Sequence, residues 1–153
     1  MSKRAPTLLV VEDAQDQAIL VGVAARRAHP GLDVRIVNEG AAGVAYLAGE
    51  PPFADRKANP LPDLVILDLE MPDLHGIEVL AFVKDRLGPV SYPIVVLTGT
   101  TDEEAEGRVR ALGAVDFRRK PTDLTTLGTV VREIVHEHIG RGEIIAAHIF
   151  ESG

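Results

Sequence analysis

Glu12, Asp13, Asp68, Thr98 and Lys120 are the side chains that could do chemistry in this chain, and each follows a short apolar run. Leu8 to Val11 leads into Glu12 and Asp13, and Leu64 to Leu67 leads into Asp68. Ile94 to Leu97 leads into Thr98, while Val115 to Phe117 passes through Arg118 and Arg119 to Lys120. Crowded carboxylates repel one another unless a cation joins them, and hard oxygen donors at this density suit Mg2+, which keeps several waters. A carboxylate beside such an ion can attack phosphorus and form an aspartyl-phosphate. Phosphoryl transfer needs charge neutralisation and in-line positioning more than covalent help. An ammonium at Lys120 and a hydroxyl at Thr98 would meet the phosphoryl oxygens.

Residues so far apart in sequence meet only if the apolar runs are strands of one sheet. Short unbroken apolar runs alternating with amphipathic helical stretches specify a parallel sheet covered on both faces. The carboxyl ends of its strands open on one edge, where ligands bind. The runs predict strands over 7–11, 33–37, 63–67, 93–98 and 115–119, and helices over 14–28, 40–47, 77–87, 102–112 and 124–139.

In the first helix Ala18, Val21, Ala25 and Ala28 recur at helical spacing, and Pro30-Gly31 stops it. Val79, Leu80 and Val83 face inward from the third, and Ala105, Val109 and Leu112 share a face of the fourth. Thr101 and Glu104 have capping-box spacing before that helix. Gly107 inside it costs about 1 kcal/mol relative to Ala, so it is expected to be weakly held. Leu124, Leu127, Val131, Ile134, Val135 and His138 mark the inner face of the fifth. The segment 49–62, with Pro51, Pro52, Pro60 and Pro62, reads as a loop that is long for an αβ connection. The fold class is α/β: a doubly wound five-stranded parallel sheet, (βα)5, with right-handed crossovers. It occupies 1–140, with a tail at 141–153.

A chain of 153 residues fits one domain. Its net charge of −7 disfavours non-specific nucleic-acid binding. It has no Cys, which excludes disulfides, thiolate metal sites and a Cys nucleophile and fits a reducing cytoplasm. No apolar stretch approaches the roughly 20 residues of a membrane span, and the N-terminus is not a secretory signal. The Val11-Glu12-Asp13 turn stands where a dinucleotide-binding fold needs glycines. His75 reads as an exposed turn residue. His136 and His138, two apart on a helix, do not face one another and read as surface and edge residues, not a metal site.

Taken jointly, these residues resemble the receiver domain of two-component response regulators, over 7–139. The acidic pair is Glu12-Asp13, and the loop after Asp68 reads Asp68-x-x-Met71-Pro72-x-x-x-Gly76. Thr98 matches the switch hydroxyl, and Gly113-Ala114-x-x-Phe117-x-x-Lys120-Pro121 matches the last strand. The resemblance implies a flavodoxin-like fold with Asp68 as phosphoacceptor. It implies Mg2+ held by Asp13, Asp68 and the backbone carbonyl of Glu70, and by Glu12 through water. It also implies a cis Lys120–Pro121 peptide and a sensor histidine kinase as phosphoryl donor. Thr98 would then move toward the phosphate and Phe117 turn inward, changing the face of the fourth helix, fifth strand and fifth helix.

This chain also has its own features. Phe117 lacks a hydroxyl, and Glu70 and Thr100 stand where the family tunes dephosphorylation. The proline-rich loop and the short C-terminus resemble single-domain regulators that pair with phytochrome-type kinases. On this reading the chain is a cytoplasmic phosphoacceptor signalling protein rather than an enzyme, with no DNA-binding or membrane segment, and its output is binding. The rival readings are an aspartyl-nucleophile phosphatase, with Glu70 at the spacing of a general acid but no cap domain, and a non-phosphorylated interaction module. The apolar part of the tail, Glu143 to Phe150, is expected to form a homodimer or partner contact.

Overall fold

Three apolar runs are buried along their whole length: β1 (Thr7–Val11), β3 (Leu64–Leu67) and β4 (Ile94–Thr98). Two are only partly buried: β2 (Asp33–Val37) and β5 (Asp116–Arg119). The difference follows from their places in one all-parallel sheet of order β2-β1-β3-β4-β5, where the partly buried strands are the edges. This is a computed structural model, and it describes residues 4–140. The contact expected of the tail at 141–153 lies outside the described residues.

Successive residues of a strand point to opposite faces, so each central strand feeds two cores. Leu8, Val10, Leu64, Ile66, Val95 and Leu97 pack under α1 (Gln15–Ala28) and α5 (Leu124–His138). Leu9, Val11, Val65, Leu67, Ile94 and Val96 pack under α2 (Gly40–Ala48), α3 (Gly76–Phe82) and α4 (Ala105–Ala111). The register sets Val11 beside both Val37 and Leu67, Leu67 beside Val96, and Thr98 beside Arg119. The residues that follow these positions therefore emerge together on one edge. Among the described residues no helix is long and apolar enough to cross a membrane.

The structure corrects several local expectations. The fourth helix begins at Ala105 rather than 102, and no side chain caps it. Thr100 Oγ1 accepts from Asp102 N–H at 3.2 Å, and Asp102 Oδ1 accepts from Glu104 N–H at 2.9 Å. Short polar side chains that bond the backbone two residues on compete with helix, so the Thr101–Glu104 box does not form. The third helix widens into a π-helical turn over Val83–Leu87 before Gly88 ends it. His75 is the half-buried N-cap of α3, its Nδ1 accepting from Ile77 N–H at 3.1 Å. Leu124, the first residue of α5, stands at the mouth of the α1–α5 groove and is 66% exposed.

Among the described residues the cis peptide is Pro51–Pro52, and Lys120–Pro121 is not cis. Lys120 is placed instead by its own N–H, which donates to Thr98 O at 2.8 Å and extends the β4–β5 pairing by one residue. The long loop is tied down by its neighbours. Arg35 donates to Ala58 O at 2.7 Å, Arg56 to Leu47 O and Asn59 O at 3.1 Å each, and Tyr46 OH to Pro60 O at 2.8 Å. Its backbone carbonyls thus find partners that a loose loop would seek in water.

Candidate functional site

Asp68 leaves β3 with its N–H donated to Val11 O at 3.0 Å and only 5% of its surface exposed. The loop after it folds back tightly. Gly76 N–H donates to Leu69 O at 2.9 Å, and a Cβ on Gly76 would come within 2.5 Å of Asp68 O. Glycine is therefore required there by contact, not by φ. Asp73 on the same loop accepts from Gly40 N–H at 3.0 Å and Ala41 N–H at 2.9 Å, which fixes the loop to the exposed donors of the α2 N-terminus.

Glu12 follows β1 and is 4% exposed. Its Oε2 accepts from Ala14 N–H at 3.1 Å and its Oε1 from Lys120 Nζ at 2.5 Å. Burial pushes this carboxyl from the ordinary 4.5 up to about 7, and the nearby Asp68 charge adds to the rise against the pull of Lys120. Glu12, half-buried Asp13 and Asp68 each bring a carboxylate oxygen to within 4.8 Å of the others. Lys120 Nζ spans the cluster, donating to Glu12, to Gln17 Oε1 at 2.6 Å and to Asp68 Oδ2 at 3.4 Å.

A single ammonium among three carboxylates leaves the cluster negative, and the donors are all hard oxygens. That set fits a Mg2+ ion. Glu70 is exposed, its N–H donates to Asp68 Oδ1 at 3.4 Å, and its carboxylate is not part of the trio.

Thr98 is fully buried, and its Oγ1 accepts from Thr100 N–H at 3.3 Å. Phe117 is 8% exposed and packs in the core with Val96, Ala105 and Val109. The Arg119 guanidinium lies 5.1 Å from its ring centroid and donates to Thr100 O and, at 3.4 Å, to Asp102 O. The opening beside the cluster is shallow, lined by Gly99, Thr100, Thr101, Glu103, Arg119 and Lys120.

Glu12, Asp13, Asp68 and Lys120 are thus brought together, with Thr98 one strand away. Two residues escape a reading of the sequence. Gln17 lies in the first turn of a helix, where a glutamine carries no signal, and Arg119 precedes the lysine as one of two adjacent arginines. A second group, Asp116, Glu137 and His138, also has ligand atoms within 4.8 Å of one another. Asp116 Oδ1 there already accepts from Phe117 N–H at 2.8 Å and pairs with Arg110 at 3.3 Å.

Residues 8–132 match the response regulator receiver domain. The response regulator Rcp1 of Synechocystis sp. is 31% identical over 97 residues, covering 63% of this chain and 64% of that protein. The protein-glutamate methylesterase/protein-glutamine glutaminase 1 of Caulobacter vibrioides is 36% identical over 131 residues, covering 84% of this chain and 34% of that protein. The chain therefore spans less than two thirds of the length of these curated relatives. Among solved structures, the phosphorylated cyanobacterial phytochrome response regulator RcpA superposes with a TM-score of 0.81 at 27% identity, covering 88% of this chain and 94% of that one. Five parallel strands ending in an acidic trio and a lysine, together with a profile match over most of the sequence, place the chain in the response regulator receiver domain family.

Proposed function

We propose that the chain accepts a phosphoryl group on Asp68 from the phosphohistidine of a sensor histidine kinase, in a Mg2+-dependent reaction in the cytoplasm, and signals by binding. The observation that carries this reading is the contrast between two buried carboxylates. Glu12 is held by an ammonium at 2.5 Å, whereas Asp68 has only long contacts, 3.4 Å to Lys120 Nζ and 3.4 Å to Glu70 N–H. Its lone pairs remain free to attack.

In the transfer an Asp68 carboxylate oxygen forms the bond to phosphorus as the phosphorus–nitrogen bond to the donor imidazole breaks. The electron pair leaves on that nitrogen. Mg2+, held by Asp13, Asp68 and the Glu70 carbonyl and through water by Glu12, would neutralise the phosphoryl oxygens. Lys120 would take another of those oxygens, and Thr98 Oγ1 would donate to a third after leaving Thr100 N–H. Phe117 and the face of α4, β5 and α5 would carry the change outward. The likeness to RcpA, and to the response regulator RPA3017 in red light signaling of R. palustris (27% identity, TM-score 0.77), supports a phytochrome-type kinase as donor. A homodimer through the tail at 141–153 remains part of the proposal.

The test is intact-mass analysis after incubation with Mg2+ and acetyl phosphate. Wild type gains one phosphoryl mass, and Asp68→Asn, or wild type without Mg2+, gains none. An adduct that persists in the variant overturns the assignment. Steady release of phosphate from phosphomonoesters by wild type would favour the phosphatase reading instead.

A further inference from the structure

Gln17 is the one partner of Lys120 that neither the sequence reading nor the proposed mechanism uses. It sits in the first turn of α1, half-buried, with Ala18 beside it fully buried under the helix. Its amide oxygen lies 2.6 Å from Lys120 Nζ. A lysine ammonium only donates, so the amide must present its oxygen.

The ammonium has three protons and three acceptors. Two contacts are short, to Glu12 at 2.5 Å and Gln17 at 2.6 Å, and the long one, at 3.4 Å, falls on Asp68. Without Gln17 the second strong donation would pass to Asp68, the nearest remaining acceptor and a charged one. An ammonium is attracted more strongly by the full charge of a carboxylate than by the dipole of a neutral amide, so Lys120 would then sit firmly on Asp68. A neutral amide also yields readily to the charged oxygen of a phosphoryl group.

We infer that Gln17 is a positioning residue for phosphoryl acceptance: it holds the Lys120 ammonium at a long 3.4 Å contact with the Asp68 carboxylate until a phosphoryl oxygen arrives, then releases it. The inference rests on the acceptance reading above.

The test compares wild type, Gln17→Met, Lys120→Met and the double variant. Acceptance from acetyl phosphate at saturating Mg2+ is followed by intact mass, and Mg2+ affinity is measured separately by calorimetry. Methionine matches glutamine in length and suits a helix, so Gln17→Met keeps the fold, which circular dichroism checks. In Gln17→Met the ammonium closes on Asp68, so acceptance slows and Mg2+ binds more weakly, each by roughly tenfold, the lower end of the scale of one hydrogen bond to a charged group. In the Lys120→Met background the same change leaves Mg2+ affinity unaltered, because Gln17 acts only through the lysine. Gln17→Met matching wild type in both readouts, or the same loss of Mg2+ affinity without Lys120, overturns the inference while acceptance by Asp68 stands. Failure of wild type itself to gain a phosphoryl mass overturns both.

Discussion

A carboxyl group that titrates near neutrality inside a protein marks a place where charge is under-compensated, and Glu12 is in that state. Burial raises it from 4.5 to about 7 in the folded chain. Between those values the metal-free native state binds a proton that the unfolded chain has lost, so stability falls as pH rises. The slope for one group reaches about 1.4 kcal/mol per pH unit. Thermal unfolding of metal-free wild type should therefore show a Tm that declines from about pH 5 to pH 7 more steeply than in Glu12→Gln, which holds the neutral form throughout. Parallel curves for the two proteins would remove the argument. Mg2+ added at pH 8 should raise the wild-type Tm by mass action. At this scale much of the site was legible: Glu12, Asp13, Asp68, Thr98 and Lys120 stand at strand ends, where apolar runs stop. Gln17 was not, because its role depends on which side of α1 meets the sheet edge and on how far a lysine in the last strand can reach.

Between residues and fold lies the β4–α4 connection, which links Thr98 to the face that would carry a signal. Arg119 spans it, donating to Thr100 O and Asp102 O from β5 while its guanidinium lies over the Phe117 ring, 5.1 Å from its centroid. The arginine fork serves two carbonyls at once, which the single ammonium of a lysine, with no planar fork, does not match. Arg119→Ala should speed amide exchange over residues 99–104 roughly fivefold, the scale of about 1 kcal/mol for exposed hydrogen bonds. Arg119→Lys should recover only part of that protection, and exchange over α1 should not change. Equal exchange in all three proteins would show that the loop is held by its own turns. The existence and order of the elements followed from hydrophobic periodicity, but the start of α4 did not. Thr100 and Asp102 bond the backbone two residues ahead and delay the helix to Ala105, a local competition that apolar spacing does not reveal. The same limit applies to Leu124, where helical spacing alone placed in the core a residue that lies beyond the cover of the sheet.

Across the whole molecule, what stabilises the fold and what would perform the proposed chemistry are set apart in space. Stability resides in two cores on opposite faces of the sheet, while the acidic cluster sits on the carboxyl edge between them. Within that cluster the Asp68 charge adds to the rise that burial gives Glu12, a sign of repulsion between buried like charges. Two substitutions should then act in opposite directions. Ile134, on the inner face of α5, is fully buried, and Ile134→Ala should cost about 2–5 kcal/mol by emptying part of that core. It should still accept a phosphoryl group at a temperature well below its lowered Tm. Asp68→Asn removes one charge from the trio and should raise the metal-free Tm while abolishing acceptance, a trade of stability against function. Denaturant unfolding of both variants without Mg2+, beside the mass assay, checks the pair. If Asp68→Asn is less stable than wild type, the ion pair with Lys120 at 3.4 Å outweighs the repulsion, and the cluster belongs to the structural framework as well as to the chemistry.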